Sequence, residues 1–471
     1  MLRHLARLLP LLTLLILLPH HHATAQTPAG TWDGTLSFAG SRLPLTFRIM
    51  QAEGDGYRAT LESPDQGLRG LAADSVAFHN PDLVIDFGAL LARYQGALMP
   101  GGMLMGFFHQ NGLDLPLLLK RRPAAVRSQE PRPPYPYICR EVTFPSRADG
   151  VELHGTLTLP AAGTPRAAVV LVTGSGLQNR DEELLGHKPF LVIADHLTRR
   201  GYAVLRYDDR GFGAPEAEQH RLLDEATTDD FTLDALGALD CLGTLRDTTA
   251  CPVGILGHSE GGTIAFLAAA REPRVDFIIS MAGLAVRGDR ASLRQNRRMM
   301  ELQGLDNALT EDCCALLEAL YAEIRNHTRD ELKAFGDELK GLIATREPAA
   351  SLPPAIRENL MKLLDEAAAN AWIYHFLTFD PSEAIVAAGV RPVLALNGTL
   401  DRQVDADENL GAIRRLLGNS PALTVKAFEG LNHLFQPCTT GDTAEYERIE
   451  TTIAPEVLDT ITTWLDTTLR P

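Results

Sequence analysis

The spacing of apolar and polar positions changes character twice along the chain. From about Gly30 to Lys120 it runs in short alternating stretches, among them "TWDGTLSF", "LPLTFRIM", "YRATLES", "LVIDFG" and "LDLPLLLK", separated by Gly, Asp and Asn. A period of two with frequent breaks predicts antiparallel strands, hence a small all-β barrel or sandwich over residues 26–121. Trp32, in "GTWDG", reads as a side chain facing that β core. Residues 122–137, "RPAAVRSQEPRPPYPY", carry five prolines and little to bury, which predicts a linker. Beyond it two strand-like pieces precede the apolar runs "AAVVLVTG", "YAVLRYDD", "PVGILGHS", "DFIISMAG", "RPVLALNG" and "LTVKAFEG". Such runs, spaced by helix-sized segments, predict an α/β domain over 138–471, its mostly parallel sheet covered by helices on both faces. The long segment between "MAGLA" and "RPVLALNG" has helical apolar spacing, and a structureless loop of that length is improbable. It is therefore expected to be a helical cap at about 287–378.

The first 25 residues follow neither pattern. Arg3 and Arg7 precede the apolar stretch "LLPLLTLLILL", and Ala23 and Ala25 occupy the small positions of a cleavage site. This is the layout of a secretory signal peptide, and the apolar run is about half of the roughly 20 residues a membrane span needs. The expectation is an exported protein, periplasmic or secreted, with no stable membrane insertion after cleavage.

Acidic residues outnumber basic ones by 60 to 44, a net charge of −16, without blocks of either sign. That distribution reads as a solubilising surface and argues against a nucleic-acid partner. The six cysteines fit no zinc spacing, and no metal is expected. Cys241 and Cys251 flank one loop, where a disulfide and two buried free thiols are both compatible with the sequence.

Ligands of open α/β sheets sit beyond the carboxyl ends of the strands, so the residues after each apolar run hold the candidate chemistry. In "ILGHSEGGT", Ser259 lies between Gly257 and Gly261, after a strand pattern and before a helical one. This is the context of a nucleophile elbow, where a serine in a strained turn needs neighbours without side chains. A serine needs a base, and the base an acid to orient it. Asp401, in "LALNGTLDRQV", and His433, in "FEGLNHLFQ", follow the last two apolar runs and project from the same sheet edge, with Asp405 and Asp407 as competing acids. An oxyanion formed at the serine would be held by the backbone N–H of Glu260 and by one from "VTGSGLQNRDE", with Ser175 the candidate and Gly176 or Leu177 next to it. Leu177, Arg180, Trp372 and Phe376 are candidate pocket residues. Asp208, Asp209 and Arg210 are read as fixing their loop by local hydrogen bonds.

Taken together, "VTGSGLQNRDE", "HKPFLVIADHLTRRGYAVLRYDDRGFG", "GHSEGG", "WIYHFLTFDP", "PVLALNGTLDRQV" and "LNHLFQ" resemble the exported α/β-hydrolase family of bacterial serine esterases. That family is related to the serine aminopeptidase and prolyl oligopeptidase-like hydrolases, and the likeness covers roughly residues 138–471. It implies an α/β-hydrolase fold with a β-rich domain before it, and nucleophile, acid and base at Ser259, Asp401 and His433. The chain departs from the pattern at Thr173-Gly174, where many relatives have His-Gly. The reading is a hydrolase of small-molecule carboxylic esters without a cofactor. The competing readings are a serine peptidase of the same fold and a non-catalytic lipid- or glycan-binding protein.

Overall fold

The computed structural model describes residues 27–469 except 39–40, 53–55, 64–65, 67, 100, 123–126, 246–250 and 419. The expected signal peptide lies outside the described residues. The chain divides into two compact units between Ala124 and Ala125.

In the first unit, β1 (Gly30–Phe38), β2 (Ser41–Gln51), β3 (Tyr57–Ser63), β4 (Leu68–Ala72), β5 (Ser75–His79), β6 (Asp82–Phe87), β7 (Ala92–Met99), β8 (Met103–Gln110) and β9 (Leu113–Arg121) form one antiparallel sheet among the described residues. Its order is β4-β3-β2-β1-β9-β8-β7-β6-β5, and it curls around a single core. Alternate residues of each strand fill that core: Trp32 and Leu36, Leu45, Phe47 and Ile49, Leu83, Ile85 and Phe87 are all buried. Trp32 also donates its indole N–H to the Pro28 carbonyl at 2.8 Å, so its one polar atom is satisfied inside.

The second unit opens with the segment expected to be a linker, and its C-terminal part is packed structure. Arg127 donates to the carbonyls of Gly186, Leu185, Glu447 and Ile449, and the Gln129 side chain spans Thr452 and Ile453. Proline content alone gives no sign of these side-chain anchors.

An eight-stranded sheet follows, built from β10 (Ile138–Pro145), β11 (Glu152–Leu159), β12 (Ala168–Val172), β13 (Ala203–Tyr207), β14 (Val253–His258), β15 (Phe277–Met281), β16 (Val393–Gly398) and β17 (Leu423–Phe428). The order is β10-β11-β13-β12-β14-β15-β16-β17, antiparallel across β10, β11 and β13 and parallel from β13 onward. The central strands are apolar on both faces because both are covered. Val170, Leu205, Ile255 and Ile278 pack with α3 (Thr228–Thr244), α4 (Glu260–Arg271), α10 (Ser382–Ala388) and α11 (Ala406–Leu417), which follow α2 (Glu216–Leu223) in the chain. Val169, Leu171, Leu256 and Ile279 pack with α1 (Pro189–Thr198) and α12 (Pro455–Thr468) on the other face.

The cap is helical as expected: α5 (Gly288–Leu302), α6 (Asn307–Asn326), α7 (Arg329–Ala344), α8 (Pro354–Ala369) and α9 (Ala371–Thr378). It has its own core around Leu316, Leu320, Ile324, Leu332, Met361 and Leu364. Its helix starts are written in the sequence: Asp306 and Asn370 cap α6 and α9, and Thr328 with Glu331 makes a capping box on α7. Among the described residues no disulfide links the six cysteines, and the partly buried side chains of Cys241 and Cys251 pack against the α/β core.

Candidate active site

Parallel pairing brings the strand ends to one edge. Val172 of β12 lies opposite Gly257 of β14, so the loop after β12 sits beside Ser259. Ser259 N–H donates to the Met281 carbonyl at 2.8 Å, and its own carbonyl accepts from Gly262 N–H at 2.9 Å. The residue is thus pinned between the end of β14 and the start of α4, with φ +55° and ψ −124°. Such a left-handed backbone costs an ordinary residue about 1–3 kcal/mol and persists only where the surroundings impose it. The flanking glycines explain how they do. A Cβ on Gly257 would lie 1.8 Å from the Gly261 carbonyl oxygen, and one on Gly261 would lie 2.1 Å from the Val172 oxygen.

Asp401 follows β16 and His433 follows β17. Asp401 Oδ1 accepts the backbone N–H of Gln403 and of Val404, both at 2.8 Å, which leaves Oδ2 for His433 Nδ1 at 2.7 Å. Because the carboxylate can only accept, Nδ1 carries the hydrogen and Nε2 is left basic. Both residues are buried, and Asn432 folds the histidine loop by accepting the N–H groups of Leu434 and Gln436. The competing acids are engaged elsewhere or exposed. Asp405 caps α11 and pairs with Arg294 and Arg298, and Asp407 faces solvent.

The loop after β12 is held from two sides. Gly174 N–H donates to Glu182 Oε1 at 3.0 Å, and Ser175 Oγ donates to Glu260 Oε2 at 2.8 Å. Gly174 lies so close to the elbow that a Cβ on it would stand 2.9 Å from Ser259 Cβ. Among the described residues, the amides of Ser175 and Glu260 make no backbone hydrogen bond outside regular elements. Thr173, at the position that departs from the resembled pattern, donates to Asp209 Oδ1 at 2.7 Å, and burial pushes that carboxyl up to about 8. Asp208 binds Arg180, and Arg210 forms a buried two-bond pair with Asp234, so these residues fix their loops.

A cavity of about 540 Å³ opens over Ser259 and His433. Trp372 and Phe376 line it, their rings stacked at 5.1 Å, with Leu284, Ile373 and Leu377 beside them. Ser292, Gln295, Asn296 and Tyr321 of the cap supply neutral polar groups. Leu177 and Arg180, both expected at the pocket, lie outside its lining. Arg180 is drawn away by Asp208 and Glu141, and Leu177 is turned partly to solvent.

Three residues gained roles that the spacing of motifs did not reveal. The Glu260 carboxylate accepts from Ser175 Oγ, Thr228 Oγ1 and Trp372 Nε1. Glu182, within an apparent surface charge run, is 3% exposed and adopts φ +52°. Its partner is His258, inside the elbow motif itself, with Nδ1 at 2.9 Å from Glu182 Oε1. A signal was present: a histidine that ends the strand pattern "VGILGH" is buried and requires a partner.

A family model described as "Serine aminopeptidase, S33" matches residues 164–310, a span that contains Ser259 and ends before Asp401 and His433. Esterase EstD of Thermotoga maritima is 37% identical over 112 residues, 24% of this chain and 26% of that protein. An uncharacterized 31.7 kDa protein encoded in the traX-finO intergenic region of Escherichia coli is 28% identical over 154 residues, 32% of this chain and 51% of that protein. The chain therefore spans between about a quarter and a half of the length of these curated relatives. Among solved structures, the alpha/beta hydrolase GrgF from Penicillium sp. sh18 is 16% identical, covering 70% of this chain and 99% of that one, with a TM-score of 0.43.

Proposed function

The second unit is an α/β-hydrolase domain by fold, and on that premise we propose that the chain is a serine hydrolase cleaving carboxylic esters through an acyl-enzyme intermediate. The observation that carries the reading is the 2.7 Å contact between His433 Nδ1 and Asp401 Oδ2, on loops that reach the same cavity as the strained Ser259.

In the proposed cycle, His433 Nε2 takes the hydroxyl proton as Ser259 Oγ attacks the ester carbonyl, and Asp401 stabilises the resulting imidazolium. The carbonyl oxygen, now negative, accepts from the amides of Glu260 and Ser175. The tetrahedral centre collapses, the alkoxide leaves with the proton from His433, and the acyl group stays on Oγ. Water then gives a proton to His433, attacks the acyl carbon, and Ser259 departs with its hydrogen restored.

The likeness to a protein named as an esterase favours esters. The matched family description names aminopeptidases, so amide cleavage by the same groups is the second reading. Labelling with a fluorophosphonate probe tests the first step, and wild type no more reactive than Ser259→Ala would refute a serine hydrolase. Turnover of p-nitrophenyl esters beside aminoacyl and prolyl anilides separates the two readings. Ester turnover only a few-fold above anilide turnover would overturn the ester preference. Export completes the proposal, supported by the leader pattern of residues 1–25, with a small-molecule ester met outside the cytoplasm as substrate.

A further inference from the structure

Both nitrogens of the buried His258 face acceptors. Nε2 lies 2.9 Å from the His433 backbone carbonyl oxygen, which can only accept, so Nε2 carries a hydrogen. Nδ1 lies 2.9 Å from Glu182 Oε1, the same oxygen that accepts Gly174 N–H. One further proton must therefore reside between Nδ1 and Oε1. Without it, either a carboxylate meets the lone pair of Nδ1, or the imidazole changes tautomer and its Nε2 lone pair meets the His433 carbonyl. Deprotonation breaks one of the two contacts in every arrangement.

On the reading that Ser259 and His433 are catalytic, we propose that Glu182 and His258 are positioning residues: a proton-holding pair that fixes His433 through its main-chain carbonyl and the Ser175 loop through Gly174 N–H. The pair borders the cavity over Ser259 and acts by joining the two loops that must be in register for attack. The ring of His258 also lies against that of His433, centroids 4.7 Å apart, so a shift of one displaces the other. The charged and titratable groups around it are Glu182 on the loop after β12, Asp209 after β13, Asp401 after β16 and His433 after β17. Burial works against charge on His258, but Glu182 and the His433 carbonyl outweigh it and raise its pKa above the ordinary histidine value. The contribution to stability is therefore complete below the ordinary histidine range and is lost as pH rises through the raised value. Activity should fall on the alkaline side as the two loops come apart.

The test measures kcat and KM for p-nitrophenyl acetate against pH in wild type, Glu182→Gln and His258→Asn. Glu182→Gln keeps an acceptor oxygen and removes the charge, so the alkaline limb of kcat should move to lower pH. His258→Asn should lower kcat about ten-fold or more, the scale of a misplaced catalytic group, with KM changed little. An alkaline limb that stays in place in Glu182→Gln, or a His258→Asn variant with wild-type kcat, would overturn the assignment. A second measurement does not depend on the variants folding or on turnover. Titration of histidine ring carbons by NMR in the wild-type protein should find one imidazole that remains protonated well above the ordinary histidine range. If every histidine loses its proton within that range, the pair does not hold it. Failure of fluorophosphonate labelling would instead remove the hydrolase reading, and the NMR result would stand apart from it.

Discussion

The indole N–H of Trp372, in the cap, donates to Glu260 Oε1, beside the candidate nucleophile, at 2.9 Å. The same carboxylate holds Ser175 and Thr228, so one buried side chain ties the cap to the elbow, the loop after β12 and the start of α3. Trp372→Phe keeps an aromatic ring against Phe376 and deletes only the donor. Losing one hydrogen bond of this type costs about 1 kcal/mol, which corresponds to roughly five-fold in an equilibrium. We expect KM for p-nitrophenyl esters long enough to reach the cap to rise about that much, with kcat within roughly two-fold. Equal KM values in the two proteins would show that the bond does not hold the pocket shut.

The orienting role proposed for Asp401 predicts a sharp contrast with its neighbour Asp405. Asp401→Asn retains an oxygen for Gln403 and Val404 N–H but turns an NH₂ toward His433 Nδ1, which forces the wrong tautomer. A fall in kcat of roughly 10⁴ is expected, without change in circular dichroism. Asp405→Asn keeps an oxygen for Glu408 N–H, the helix cap, and loses only its charge partners Arg294 and Arg298, so it should cost about 1 kcal/mol of stability and leave kcat within a few-fold. Comparable kcat losses in both variants would remove the distinction.

The strand ends, the helical cap and the residues after each apolar run were legible because burial on both sheet faces leaves a periodic trace. Ser259, Asp401 and His433 follow strands β14, β16 and β17 of the parallel part of the sheet, and parallel pairing brings them to one edge. Side-chain partnerships across distant segments leave no such trace. Glu182 and His258 are 76 residues apart, and Trp372 and Glu260 are 112 apart. The partners of Arg180, Asp181 and Glu182 are Asp208, Arg206 and His258, which come from two other segments, β13 with the residue after it and the end of β14. The same blindness placed Arg180 at the pocket. The aromatic pair Trp372 and Phe376 was readable as a pocket wall, whereas the hydrogen bond from its indole was not.

Glycine substitutions should separate folding from catalysis. Gly257→Ala places a methyl group 1.8 Å from the Gly261 oxygen, a clash between two backbones that no rotamer relieves. Destabilisation above about 4 kcal/mol is expected, seen as loss of soluble protein. Gly174→Ala meets Ser259 Cβ at 2.9 Å, where a loop can shift. The shift moves the Ser175 amide, so kcat should fall by roughly 10²-fold, as for loss of one oxyanion donor, while the thermal midpoint changes little. Normal kcat in Gly174→Ala would move the second donor to another residue.

Acid should weaken the second unit through histidines that resist charge inside the fold, among them the buried His187 and the half-buried His196. His187 is fully buried, with Nε2 donating to the Tyr446 carbonyl at 2.8 Å and Nδ1 at 3.0 Å from Thr452 Oγ1. His196 lies 2.9 Å from Thr462 Oγ1, and Thr462 donates its own hydrogen to the Leu458 carbonyl, so His196 Nε2 is the donor. Burial lowers the pKa of both, that of His196 to about 4 against an ordinary 6.5. The unfolded chain then binds protons that the folded one refuses, so stability present at neutral pH is lost as pH falls from about 6.5 toward 4. Asp209 acts in the opposite sense. Its carboxyl, pushed up to about 8, binds a proton in the folded state first, so it adds stability as pH falls from about 8 toward the unfolded value near 4. The slope of the thermal midpoint with pH is thus a difference, and a variant is needed to resolve it. His196→Gln can still donate to Thr462 and does not titrate, so its midpoint should fall less than that of wild type between pH 6.5 and 4.5 in a scanning fluorimetry series. A parallel fall in the two proteins would mean that His196 does not resist protonation in the folded state.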